Sequence, residues 1–149
     1  MVKIFAENMT GLPLLKNVAA LSKFLQGQQT SFDRVLQKVN VISIGNGKCS
    51  VELKVGDDHV DQKGNLHIGL SSTLVDCISG FALMSQIPNV HVTTDINMNN
   101  IKCPKIGDEI VIDGHVNRIV DNLAFLEVKI MNKATGELLI QGTHTKYVL

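Results

Sequence analysis

The sequence predicts an α+β domain in which a strongly bent antiparallel sheet wraps one long central helix. Three observations carry that expectation. Hydrophobic residues alternate at period two in six segments; one apolar stretch between the second and third segments keeps helical spacing; and the later segments are joined by short, turn-rich connections.

The elements follow in order. From Leu12 to Gln26, the residues Leu14, Leu15, Val18, Leu21, Phe24 and Leu25 recur three and four apart, the pattern of an amphipathic helix docked on the domain. A mitochondrial presequence is the alternative reading, but such leaders are rich in Arg and this segment has none. Thr30 or Ser31 caps a second short helix through Gln37, with Phe32, Val35 and Leu36 on its apolar face. From Lys38 the period becomes two. The phase slips between Val41 and Ile42, which marks a bulge or an outward apolar residue. Gly45-Asn46-Gly47 supplies a turn, and Cys49, Val51, Leu53 and Val55 complete a hairpin. An Asp- and His-rich loop, Gly56 to Asn65, leads into Leu66 to Met84. There Leu70, Leu74, Cys77, Ile78, Phe81 and Met84 mark the central helix. Strands follow at Asn89 to Met98, Glu109 to Ile119, Leu123 to Met131 and Leu138 to Val148. No repeat or linker divides the chain, so the expectation is one domain, 31–149, behind a helical extension, 1–30.

Composition narrows the function. The 149 residues are 44% hydrophobic and 19% charged, with 14 Lys+Arg against 14 Asp+Glu. A net charge of zero argues against a nucleic-acid partner or an anionic membrane surface. No stretch approaches the ~20 apolar residues of a bilayer span, and Glu7, Asn8 and Thr10 interrupt any secretory leader, so a soluble protein without membrane insertion is expected. Cys49, Cys77 and Cys103 are dispersed and odd in number, which suits reduced thiols of the cytoplasm or mitochondrial matrix. Neither they nor the five histidines have metal-ligand spacing, so no metal is expected.

Two features of the loop and central helix are chemically odd. Asp76 sits between Val75 and Cys77 in the most apolar helix, where a carboxylate is costly unless solvated, paired or functional. Solvent, Ser72, Thr73 and Ser79 are its local candidates for partners. His67-Ile68-Gly69 stands where the helix begins, so its backbone N–H groups are free to meet a ligand oxygen. At ~100° per residue, about nine residues place His67 and Asp76 on roughly opposite sides of the helix. If both serve one site, they serve it from different subunits.

These residues carry a resemblance. His59-x-Asp61, Gly64-x-Leu66-His67-x-Gly69-Leu70, Thr73-Leu74-Val75-Asp76, Thr94-Asp95-Ile96-Asn97, Gly107-Asp108-Glu109-Ile110, Leu123-Ala124-Phe125, Asn132-Lys133-Ala134-Thr135-Gly136 and Gly142-Thr143-His144-Thr145-Lys146 follow one another as in the PaaI-type acyl-CoA thioesterases of the hotdog fold. From about Phe32 to Lys146 the chain resembles that family. The resemblance implies hydrolysis of an acyl-CoA to free acid and CoA without a cofactor, in lipid metabolism. It also implies a homodimer formed sheet edge to sheet edge, assembling further to a homotetramer, with sites at the dimer interface. By the same resemblance, Asp76 matches the carboxylate that activates water or attacks the thioester, and Asp61 the loop residue, commonly Asn, that orients water or thioester. Ile68 and Gly69 match a Gly-Gly whose first N–H polarises the carbonyl, and Thr93 matches a hydroxyl that holds the water. His67 either takes part in catalysis or holds the loop through its ring. Lys102, Lys105, Arg118 and Tyr147 match positions near the CoA nucleotide and phosphates. His59, His91, His115 and His144 are read as structural or surface residues. Ile68 in place of glycine motivates a second reading, a catalytically impaired acyl-CoA-binding or scaffold protein. Asp61 in place of Asn suggests two carboxylates in one site, whose repulsion raises one pKa.

Overall fold

The structure is a computed structural model that describes residues 17–28 and 30–149. Six strands form one fully antiparallel sheet: β1 (Asn40–Gly45), β2 (Lys48–Lys54), β3 (His91–Asn100), β4 (Glu109–Val120), β5 (Leu123–Asn132) and β6 (Leu138–Val148), in the spatial order β1-β2-β4-β5-β6-β3. Strands β1 and β3 are therefore the two edges. Among the described residues two α-helices accompany the sheet, α1 (Val18–Gln26) and α2 (Ile68–Gln86).

The α+β expectation is met, and most element bounds fall within two residues of those read from periodicity. Of the N-terminal helix, the part from Leu12 to Lys16 lies outside the described residues. The remainder starts at Asn17, whose side chain accepts from the Ala20 N–H at 2.9 Å. Leu21 and Leu25 of α1 are fully buried, and Phe24 meets the Phe81 ring edge-on at 6.1 Å. The second short helix is instead a 3-10 turn, Phe32–Leu36, without a side-chain cap from Ser31. Phe32 is 63% exposed, so Leu36, with half-buried Val35 beside it, anchors this turn in the core.

The hairpin turn uses Asn46 and Gly47 at positive φ, 52° and 74°, which matches the right-handed twist of the two strands. The phase slip is a bulge: the β1–β2 register shifts between Val41 and Ser43, and the Ile42 side chain is turned outward. Strands β2, β4, β5 and β6 then present Val51, Ile112, Val128 and Ile140 to a common inner face.

That face is filled by α2. From Ile78 to Ser85 every residue of α2 is buried, because the bent sheet covers the helix on several sides. Contrary to the expectation that no stretch approaches a bilayer span, α2 is long and apolar enough by length and composition, because the fold encloses most of it and so selects apolar residues. Its approach is close enough to require glycine on β6: a Cβ at Gly142 would stand 2.8 Å from both Val75 methyls. The helix ends at Ile87, extended at φ −131° and ψ 128°, because Pro88 disfavours a helical residue before it.

Candidate active site

Two groups of residues flank α2. The first is local. The His67 backbone is extended, and its Nδ1 accepts from the Gly69 N–H at 3.0 Å, so the ring caps the helix. The Ile68 N–H finds no backbone acceptor among the described residues, and its side chain is 54% exposed. Upstream, Asp61 Oδ1 accepts from the Lys63 N–H at 2.8 Å and the Asn65 N–H at 3.0 Å, an Asx arrangement that shapes the loop. Those N–H groups, Asn65 first and then Lys63, hold the Asp61 carboxyl below the usual carboxylate range. The raised pKa expected from a carboxylate pair is not found at Asp61 within the protomer.

The second group is assembled from distant strands. The Asp76 side chain is 45% exposed, and its partners come from across the sheet instead of from Ser72, Thr73 or Ser79. Lys146 Nζ lies 3.2 Å from Asp76 Oδ1, and Thr93 Oγ1 lies 3.4 Å from the same oxygen. An ammonium, not an apolar wall, is thus its nearest charged neighbour. The Thr73 hydroxyl goes to the Gly69 carbonyl, and Ser79 meets the Asp76 backbone carbonyl but not its carboxylate.

His144 joins this group and is buried, so of its two readings, structural or surface, the surface one is excluded. Its ring bridges Ser79 Oγ at 2.7 Å and Thr93 Oγ1 at 3.0 Å, and its Nε2 stands 3.7 Å from Asp76 Oδ1. Ser79 lies 2.6 Å from the Val75 carbonyl and donates its proton there. His144 Nδ1 then carries the proton offered to Ser79, and Nε2 accepts from Thr93, an assignment made from the network. Burial pushes the His144 pKa down to about 4, helped by the Lys146 charge and opposed by Asp76. His91 shares this environment: burial and Lys146 lower its pKa to about 4, and both ring nitrogens are enclosed without a protein partner.

A bulge in β3 makes the convergence geometrically possible. The β3–β6 register shifts between Thr93 and Asp95, so Thr94 is the extra residue. Thr93 reaches the helix on one side of the bulge, while Ile96 and Met98 pack on the core on the other. On β6 the inward positions are Ile140, Gly142, His144, Lys146 and Val148. Sequence reading missed His144 and Lys146 as site residues. The signal was available: period-two alternation places a histidine and a lysine inside, and such a lysine needs a carboxylate such as Asp76.

The expected CoA contacts do not converge on Asp76 in one protomer. Lys102 is paired with Glu137 at 2.8 Å, and Lys105 and Arg118 are exposed. Tyr147 is 41% exposed on the face of β6 opposite Lys146, in register with Val92 and Leu123. Two hollows on the protomer lie over β2 and β4, one beside Glu52 and Lys133 and the other beside Ser50 and His115; neither includes Asp76 or Asp61.

A six-stranded antiparallel sheet around one long helix, with a carboxylate on that helix beside an edge strand, defines the hotdog-fold class. The chain belongs to the thioesterase superfamily, whose family model matches residues 63–139. It is similar to acyl-coenzyme A thioesterase 13 of Mus musculus, at 44% identity over 118 residues, 78% of this chain and 84% of that protein. Its fold matches the crystal structure of zebrafish thioesterase superfamily member 2 with a TM-score of 0.83 at 37% identity, covering 89% of this chain and 99% of that one. A hypothetical thioesterase of Streptococcus pneumoniae, solved with coenzyme A, matches with a TM-score of 0.71 at 27% identity, over 74% of this chain and 85% of that one.

Proposed function

We propose that this protein is an acyl-CoA thioesterase that hydrolyses acyl-CoA to free acid and CoA, with Asp76 as the carboxylate that activates water. The single observation that carries this reading is the Asp76 carboxylate, half-exposed on a mostly enclosed helix and ringed by Lys146, Thr93 and His144. Water attacks the thioester carbon as Asp76 takes a proton from it, a contribution of about 10²–10⁴-fold. The free N–H of Ile68 at the helix start donates to the oxyanion, and such donors are worth about 2.7–4 kcal/mol. The C–S bond then breaks. The CoA thiolate leaves and recovers the proton from Asp76.

The two groups of residues belong to one site only when two protomers combine, so the functional unit in this reading is a homodimer, assembled further to a homotetramer. Support comes from β3, a ten-residue edge strand free to pair with a second copy. The CoA phosphates then fall to local cations, Lys102, Lys105 and Arg118, with Tyr147 nearby. A medium or long fatty acyl chain suits the aliphatic lining, and the unpaired thiols suit the cytoplasm or mitochondrial matrix.

The test is a panel of acyl-CoAs from acetyl to palmitoyl plus an aromatic one, read as free thiol. Asp76→Asn is expected to abolish turnover while leaving the fold and oligomer intact; wild-type rates in that variant overturn the assignment. The exposed Ile68 side chain at the glycine position favours the second reading, an impaired acyl-CoA-binding protein. That reading gains if calorimetry detects acyl-CoA binding, the panel stays flat, and Ile68→Gly restores hydrolysis.

A further inference from the structure

We propose that Lys146 is a positioning residue for the reaction: its buried ammonium holds Asp76 Oδ1 and the Thr93 hydroxyl on one centre, leaving Oδ2 to address the attacking water. The inference rests on the reading of Asp76 as the water-activating carboxylate and deepens it.

Lys146 is 5% exposed, an uncommon state for a lysine, and removal of an ammonium from water carries a large desolvation cost. Stability alone gives little reason for the cost, because Asp76 is half-exposed and water can solvate it without a partner. A methionine at this inward position of β6 would fill the same slot without a charge to desolvate. The ammonium has three donors; one faces Asp76 Oδ1 at 3.2 Å and another Thr93 Oγ1 at 3.3 Å. Thr93 spends its own proton on His144, so Lys146 is the short, charged contact that fixes the carboxylate. Among the described residues, every side-chain contact to this carboxylate falls on Oδ1. A carboxylate held by one oxygen keeps its other lone pairs aimed in one direction, which is the orientation a general base needs.

The groups around Lys146 are consistent with this role. Asp76 faces it from α2, Thr93 and His91 from β3, and His144 from its own strand; its β5 neighbour Ala124 adds no charge. Farther along α2, Cys77 is pushed up to about 12 by burial and by Asp76 and Asp33, and contributes no anion. The charges of Lys146 and Asp76 offset one another, while both imidazoles are kept neutral in the middle of the physiological range.

The experiment compares wild type, Lys146→Met, Lys146→Arg, Asp76→Asn and the Asp76→Asn/Lys146→Met double variant on whichever acyl-CoA the panel selects. Lys146→Met is expected to lower kcat about 10- to 100-fold with KM within about twofold, and Lys146→Arg to recover most of the loss. In the Asp76→Asn background, Lys146→Met should change the residual rate by less than about twofold. An equal loss in both backgrounds, or wild-type kcat in Lys146→Met, overturns the proposal while Asp76 stands. Wild-type turnover in Asp76→Asn overturns both. Should the methionine variant not fold, Lys146→Gln takes its place: a neutral amide in the same slot is expected to lower kcat about 10- to 100-fold with KM within about twofold, and wild-type kcat in that variant overturns the proposal.

Discussion

The first turn of α2 and its third are held by opposite means. At the first turn, His67 caps Gly69 two residues away, and Asp61 is tied to Lys63 and Asn65. At the third, Asp76 meets Lys146 seventy residues away, and Thr93 meets His144 across fifty-one. The local half depends on backbone geometry and survives small shifts of the sheet. The assembled half exists only while β3, β6 and α2 keep their mutual distances, so it registers any strain in the core.

The largest expected effect comes from separating α2 from β6. Gly142→Ala places a methyl against Val75, next to Asp76, and overpacking of this kind costs about 1–3 kcal/mol. Denaturant titration should report that loss, and turnover should fall with it because Lys146 and His144 ride on the same strand. A variant with wild-type stability and rate would mean that the two halves are not so unequal.

Acid comes next. His144 and His91 have folded pKa values of about 4, below their unfolded value of 6.5. Between these values the unfolded chain binds protons that the folded protein refuses. Their contribution is therefore present above pH 6.5 and is lost as pH falls towards 4. Thermal melts should show Tm declining through that window, before the carboxylates titrate, and His144→Gln should flatten part of the decline. A Tm constant from pH 6.5 to 4.5 would contradict the burial of both rings.

A smaller effect is expected at the helix start. His67→Ala removes the acceptor for the Gly69 N–H and should cost about 0.5–1 kcal/mol in denaturant titration. It should leave the imidazole titrations of the assembled half unmoved. The smallest belongs to Asp61→Asn. An Asn side-chain oxygen accepts the same two N–H bonds without the carboxylate's charge, so the unfolding midpoint at neutral pH should fall only slightly. The lowered pKa of Asp61 stabilises the fold above its unfolded value of 3.8, and that contribution is lost as pH falls through the lower folded value, so the melts of wild type and variant should converge under pH 4.

This division also explains what was legible. Strands and central helix follow from periodicity, since burial imposes period two or 3.6 whatever the partner, and even the Ile42 bulge appears as a slip in phase. The chemistry at the helix start is similarly close in sequence. Lys146 and His144 were harder to place because a polar residue on an inward strand position identifies no partner until strand order is known. Phe32 failed for a different reason: an apolar residue in a five-residue turn has too short a pattern to fix its face. The N-terminal helix start lies outside the described residues and is left untested by them.

The extra residue in β3 also gives the gene one tolerant codon. Thr93 lies on one side of Thr94, and Ile96 and Met98 lie on the other. Deleting the Thr94 codon would set Thr93 and Ile96 two positions apart, the spacing of one strand face, so both ends would still face the helix and only the local kink would be lost. The same loss at Asn97 would set Ile96 and Met98 side by side and turn one of them out of the core.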